Sequence, residues 1–180
     1  MKQFGDKNIF AIEYKILEYN YGKFELWIYG KPVCCFLKNE TVNIYEGNLL
    51  YIVEWFKLNI SNILNECEYP LPIIATSSLD FLNKSGDFDS DDMSEFDKWY
   101  ELRQDWYFRH SWYCSRDGSY LADIIFRKSD DKIEIEWDNT NLYENVYFIN
   151  SKGLYFIDIY LFKNVIDDFI RDFYCSIGNH

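Results

Sequence analysis

The sequence predicts one α+β domain spanning residues 1–180, with a mostly antiparallel sheet and about three helices. Segments in which apolar residues recur at every second position occur in both halves of the chain, and three other segments carry apolar residues at spacings of three and four. In addition, 48% of the residues are apolar, with 6 Trp, 16 Tyr and 15 Phe. This composition supplies an ordinary core, so it excludes intrinsic disorder and a disulfide-dependent miniature scaffold.

Strands come first, over residues 10–17 and 24–28, because large apolar side chains occupy every second position there. Gly22 and residues 30–32 are the turn signals that accompany them. A helix is predicted next, and Pro70 and Pro72 close that region. Its apolar stripe consists of Leu49, Ile52, Val53, Phe56, Ile60, Ile63 and Leu64.

The middle of the chain is predicted to be a long loop over residues 68–91, followed by a second helix. Asp92 is the expected N-cap of this helix, and Glu95 three residues later completes the pattern of a capping box. The helix should run to about Tyr107. Its apolar members are Phe96, Trp99, Tyr100 and Trp106.

From His110 onward the pattern predicts a three-strand antiparallel meander with turns at 116–119 and 128–131. Two further strands, over 146–150 and 154–159, are expected to meet at residues 151–153. A last helix then follows. Its apolar stripe consists of Phe162, Val165, Ile166, Phe169, Ile170 and Phe173.

The net charge of −12 argues against binding to nucleic acid, which relies on Lys and Arg to neutralise phosphates. Segment 80–105 alone holds nine carboxylates against three basic residues, which is half of the net charge. A basic protein partner is therefore favoured, with a solvated acidic surface as the alternative reading.

Cytoplasmic location is predicted, because no uncharged stretch is long enough to span a bilayer and the N-terminus lacks the apolar region of a signal peptide. The five cysteines are an odd number and none has Cys-x-x-Cys spacing. They are predicted to be reduced thiols that pack as small apolar residues.

Catalytic signatures are scarce, since the chain has only two histidines, His110 and the terminal His180, and lacks phosphate-binding glycine loops and a nucleophile elbow. The run 87–91 has the aspartate spacing of a calcium loop. However, Asp92 stands where the sharp turn requires glycine, and Lys98 stands where a bidentate glutamate belongs. No metal and no cofactor are predicted, and a looser cation site on these carboxylates stays open as an alternative.

An enzyme hypothesis would use His110 as a general base oriented by Asp138, with Arg109 holding an anionic substrate. The predicted meander places positions 110 and 138 at opposite ends of the sheet, about 20 Å apart. Arg109 and His110 are therefore expected to tie the helix end to the first meander strand, with Asp130 or Asp131 as a carboxylate partner.

Trp106-x-x-Arg109-His110-Ser111-Trp112 and the later run 133–139 resemble a poorly characterised bacterial family that includes immunity proteins of interbacterial toxin–immunity systems. The runs 27–31 and 54–56 fit the same pattern, so the resemblance covers most of the chain. It implies a small, acidic, cytoplasmic, single-domain inhibitor without catalysis.

Under this hypothesis the protein binds a cognate toxin, expected to be a basic nuclease, and occludes its active site. The other open readings are a small enzyme centred on Arg109 and His110 and a non-catalytic regulatory or scaffold subunit. The sequence does not determine the oligomeric state. The predicted contact residues are Asp87, Asp89, Asp91, Asp92, Glu95, Asp97 and Glu101, with Trp99 as an anchor.

Overall fold

The computed structural model describes residues 1–178, within which the chain forms eleven strands and four helices, so His180 lies outside the described part. The predicted α+β class with mostly antiparallel sheets is confirmed, with four helices rather than three. The strands are β1 (Lys2–Asp6), β2 (Phe10–Glu18), β3 (Tyr21–Ile28), β4 (Lys31–Pro32), β5 (Phe36–Lys38), β6 (Thr41–Asn43), β7 (Tyr45–Asn48), β8 (Ile125–Ser129), β9 (Lys132–Asp138), β10 (Tyr147–Phe148) and β11 (Lys152–Asp158). The helices are α1 (Leu49–Asn65), α2 (Ser78–Gly86), α3 (Met93–His110) and α4 (Ile159–Ile177), and a 3-10 turn covers Tyr113–Arg116.

The N-terminal sheet has the order β1-β2-β3-β4, and β7 also pairs with β3. The two predicted strands are confirmed as β2 and β3, which pair antiparallel with Phe10 opposite Ile28. The apolar positions of both strands are buried under α1 and α4, because alternate residues of a strand face the same side.

Helices α1 and α4 confirm the first and last predicted helices. Asn48 and Asp158 are their N-caps, and each side chain accepts a hydrogen bond from a backbone amide of the first turn. The core between the helices and the sheets is aromatic: Trp112 is fully buried, and its ring meets Phe24, Phe56 and Phe126 at 5.2–5.5 Å, edge to face.

The predicted meander is wrong in its first strand. Residues 113–116 form the 3-10 turn, and Ser111 meets Ile125 only through an isolated bridge. The physical reason is the fully buried Trp112, whose indole N–H donates to Ala122 O at 2.7 Å and draws this segment into the core. The three-stranded sheet is instead β11-β9-β8, in which the β8–β9 hairpin turns where expected.

The two strands expected to meet at residues 151–153 also belong to different sheets. β11 pairs with β9, whereas β10 pairs with β5 in a small sheet of order β10-β5-β6. Burial explains this choice, because Phe148 of β10 packs inward against Phe36 of β5, with ring centroids 5.9 Å apart.

The predicted loop over 68–91 is wrong in part, because α2 lies within it. Ser77 caps this helix by accepting from the amide of Asp80. This helix has only nine residues, and its buried ones are Leu82 and two serines, Ser78 and Ser85, so its buried side is not an apolar stripe.

The cysteines divide into two groups. Cys34 and Cys35 are buried as predicted, whereas Cys67, Cys114 and Cys175 lie exposed, so packing does not explain those three. Within residues 1–178 no helix is long and apolar enough to cross a bilayer.

Candidate protein-binding surface

Seven of the predicted contact residues are exposed, and together they are here called the carboxylate segment. Four lie in the connection between α2 and α3, and three lie on α3. No Lys or Arg of residues 1–178 lies within ion-pair distance of any of them. The members are Asp87, Asp89, Asp91, Asp92, Glu95, Asp97 and Glu101, all of them exposed.

The eighth predicted residue, Trp99, is turned inward toward α2. Its ring stacks on Phe88 with centroids 4.0 Å apart, and its indole N–H donates to Ser85 O at 2.9 Å. Tyr100 adds hydrogen bonds from its hydroxyl to Gly86 O and Phe88 O. The inner side of α3 therefore holds the α2–α3 connection, and Trp99 positions the carboxylate segment without projecting from it.

Two of the seven carboxylates also accept hydrogen bonds at the start of α3. Asp92 is the N-cap that the sequence predicts, accepting from the amides of Ser94 at 2.9 Å and Glu95 at 3.3 Å. Glu95 accepts from the hydroxyl of Ser90, so the capping box is not reciprocal. The connection is thus ordered at the point where it enters α3.

Helix α3 presents a long exposed face. Of its 18 residues only Trp106 and His110 are buried. Since successive residues advance by 100°, the stripe containing Asp97, Glu101 and Phe108 lies opposite the buried one. The helix ends at His110, three residues beyond the predicted end.

Arg109 and His110 have structural partners that differ from the predicted ones. Arg109 makes a two-point ion pair with Glu66, just after α1, with Nη2–Oε1 at 2.8 Å and Nε–Oε2 at 3.2 Å. The expected partners Asp130 and Asp131 are exposed in the β8–β9 turn. The pair therefore joins the ends of α1 and α3.

His110 is fully buried, and its ring stacks on Trp106 at 4.4 Å. Its Nδ1 lies 2.8 Å from Trp106 O, and its Nε2 has no hydrogen-bond partner among the described residues. Burial lowers the pKa of His110, outweighing the nearby Glu66 carboxylate, so the imidazole is neutral at pH 7. A substrate cannot reach this ring in the observed conformation.

The predicted separation of His110 and Asp138 is wrong. Ser111 meets Ile125, and Ile125 pairs with Glu136, so positions 111 and 136 lie at the same end of the sheet. Asp138 is nevertheless committed elsewhere, pairing with Lys152 at 2.9 Å and capping the turn at Thr140. The structure does not form the proposed His–Asp pair.

Replacing His110 tests its packing role. We expect His110→Ala to lower the free energy of unfolding by about 2–4 kcal/mol, because it opens a cavity beside Trp106. Urea denaturation measures this loss. Arg109→Gln is the matched control, and its half-exposed ion pair should contribute about 1 kcal/mol or less. An unchanged denaturation midpoint for His110→Ala would contradict the packing role.

A buried polar network that the sequence did not reveal fixes α2 on the β8–β9 hairpin. Glu134 accepts from both the amide and the hydroxyl of Ser78, at 2.8 and 2.5 Å. Arg127 donates to Glu134 at 2.5 Å and to the Ser78 hydroxyl at 3.2 Å. Glu134 is 1% exposed.

Glu136 extends the same network, accepting from the Ser77 hydroxyl at 2.9 Å and the Leu79 amide at 2.7 Å. Two carboxylates therefore meet the positive N-terminal end of α2. Burial raises the pKa of Glu136 despite these hydrogen bonds. In the sequence, Ser77 three residues before Asp80 is a capping pattern that could have indicated the start of α2. The pattern does not indicate which strand supplies the carboxylates that meet this helix end.

A surface groove of about 820 Å³ lies beside the β2–β3 hairpin. Two of its lining residues bind α4: Tyr14 donates to Asp172, and Lys2 pairs with Asp172 at 2.8 Å and donates to Ser176. Among residues 1–178 no group of three or more His, Cys, Asp or Glu is placed to hold a metal ion.

Comparisons with protein-family models, with curated proteins and with solved structures find no match to this chain. The geometry of the surface is therefore the basis for the functional proposal.

Proposed function

We propose that this protein is an immunity-type inhibitor that binds a basic protein toxin and covers its active site with the carboxylate segment. The observation that supports this proposal is the placement of seven exposed carboxylates, none of them in an ion pair among the described residues, on a connection and helix that hydrogen bonds and ring stacking hold in position. Such a surface carries its negative charge before binding and does not have to reorganise to present it.

Charge complementarity explains why a nuclease toxin fits this surface. A nuclease cleft is lined with Lys and Arg that bind phosphates, and carboxylates compete for the same groups. The net charge of the whole chain, −12, would also steer the encounter.

The size of the surface is also adequate. Helix α3 has 18 residues and is about 27 Å long. A specific interface needs roughly 800 Å² from each partner. One exposed helix face together with the six-residue connection before it supplies an area of that order.

Co-expression with the protein encoded immediately upstream tests the inhibitor role. We expect that protein to arrest growth alone and this chain to restore growth by direct binding. Toxicity that this chain does not relieve would contradict the proposal for that pair. A non-toxic protein that binds would instead support a regulatory or scaffold subunit.

The carboxylate segment itself is tested by replacing Asp87, Asp89, Asp91 and Asp92 with Asn. We expect binding to the toxin to weaken about tenfold or more at low salt, with a flatter salt dependence, because four attractive charges are lost. Asn at position 92 still caps α3, so the fold is retained. Titration calorimetry at several salt concentrations measures both quantities.

The matched control neutralises four exposed carboxylates elsewhere: Glu18→Gln with Asp117→Asn, Asp130→Asn and Asp131→Asn. Asp117 and Asp130 have positive φ, which Asn tolerates. The control has the same net charge as the test variant. Equal weakening by both variants would show that total charge, and not this surface, drives binding.

A further inference from the structure

The small sheet β10-β5-β6 exposes an apolar face. Leu37 is the cross-strand partner of both Tyr147 and Val42, so these three side chains form a row on one side. Ile149, two residues after Tyr147, lies on the same side and continues the ladder by donating to Cys35 O at 2.9 Å. The four side chains are 37–62% exposed. We call them the apolar sheet face.

The opposite side of this sheet is the one that joins the core. Phe36 and Phe148 point inward and are buried. Two consecutive residues of positive φ, Asn39 and Glu40, form the β5–β6 turn, the arrangement of a tight hairpin whose twist matches its strands. The apolar sheet face is therefore the exposed side of a sheet whose other side is anchored in the core.

The charges around the apolar sheet face select its partner. Glu40 and Glu144, both exposed, lie in the chain segments that flank it. Lys38, the basic residue of β5, is turned to the other side, where its ammonium lies 2.5 Å from the Tyr120 hydroxyl. The rim is thus acidic. A second copy of the chain, with net charge −12, and an anionic lipid surface would both be repelled.

We propose that the apolar sheet face is a second protein-docking surface and that its occupant is a basic amphipathic segment of another protein. Apolar side chains of that segment would cover Leu37, Val42, Tyr147 and Ile149, and its Lys or Arg residues would meet Glu40 and Glu144. Contiguous exposed apolar side chains with a polar rim are typical of interaction sites. The proposal does not depend on the inhibitor role of the carboxylate segment.

Two synthetic peptides of equal charge test this surface: one alternates lysine with valine, and the other alternates lysine with serine. Amide chemical shifts of the isotope-labelled protein report where each peptide binds. We expect the valine peptide to shift Leu37, Val42 and Tyr147, and the serine peptide to leave these three unchanged. In the double variant Val42→Thr with Tyr147→Ser, affinity for the valine peptide should fall at least about tenfold.

The matched control is Leu58→Gln with Tyr160→Ser, which removes two similarly exposed apolar side chains on α1 and α4. It should bind the valine peptide as the parent chain does. The proposal is overturned if the valine peptide leaves the apolar sheet face unshifted or binds the Val42/Tyr147 double variant equally well. It is also overturned if sedimentation shows a dimer that this double variant abolishes, because the occupant would then be a second copy.

Discussion

Arg127→Met is expected to lower the free energy of unfolding by about 3–5 kcal/mol, the largest loss among the substitutions considered. Arg127 neutralises Glu134, which is almost completely buried between β9 and α2. Without the guanidinium, the carboxylate keeps only the amide and hydroxyl of Ser78 as partners. A buried charge without its counter-charge must either stay ionised at high cost or take up a proton.

Urea denaturation at pH 7 measures this loss, and a second substitution identifies its cause. In the Arg127→Met background, Glu134→Gln should recover much of the stability, because the amide oxygen can still accept from Ser78 while the charge is removed. Arg171→Met is the control, since its pair with Asp168 lies on the surface and should contribute little. If the losses of unfolding free energy from the two single substitutions simply add in the double variant, the unpaired charge is not the cause of the loss.

The same variant links the network to the carboxylate segment. Ser78 opens α2, and α2 leads directly into the connection that carries Asp87 and Asp89. Amide hydrogen exchange in α2 should therefore accelerate in Arg127→Met more than exchange in α4, which packs on the other side of the core.

Glu25→Gln is expected to make the protein more stable than the parent chain at pH 8, with little gain at pH 5. Glu25 is 2% exposed; its Oε1 accepts from the amides of Leu26 and Cys34, and its Oε2 has no partner among the described residues. Burial raises the pKa of Glu25 to about 8, and the two amide hydrogen bonds oppose this shift only in part.

The direction of the pH dependence follows from proton binding. The unfolded chain loses this proton near pH 4.5, whereas the folded chain keeps it up to about pH 8. Between these values unfolding releases a proton, so the stability of the parent chain falls by about 1.4 kcal/mol per pH unit through this group. The glutamine variant lacks this contribution because its side chain does not titrate.

Denaturation of the parent chain and Glu25→Gln at pH 5, 6, 7 and 8 measures the effect as a difference that widens with pH. Glu18→Gln, at an exposed position of the neighbouring strand, is the control and should run parallel to the parent chain. Parallel curves for Glu25→Gln would show that Glu25 ionises as an ordinary surface carboxyl does.

Local sequence patterns predicted much of the fold correctly. The stripes of α1 and α4, the alternation in β2 and β3, the β8–β9 turn and the Asp92 cap are all confirmed, because each depends on residues within one turn or one hairpin. Partner choice among strands was predicted less well, as β10 and β11 show, since it depends on which apolar side chains meet across the core.

The candidate site shows the same division. Exposure of the carboxylate segment could be expected from its composition, whereas the inward orientation of Trp99 could not, because it depends on the stacking of Phe88 from a connection of unpredicted shape. The apolar sheet face was not predicted either, because Tyr147 and Val42 are 105 residues apart and meet only through β5.

The sequence by itself determined the class of fold, the main helices and the acidic character of the central segment, since these follow from periodicity, capping and charge. Only the tertiary structure decided which polar residues became buried, as with Glu25, Glu134 and His110. The physical reason is that a residue is buried by segments that are distant in the sequence and pack over it. The alternation of residues along one strand does not show which of its faces such a segment will cover.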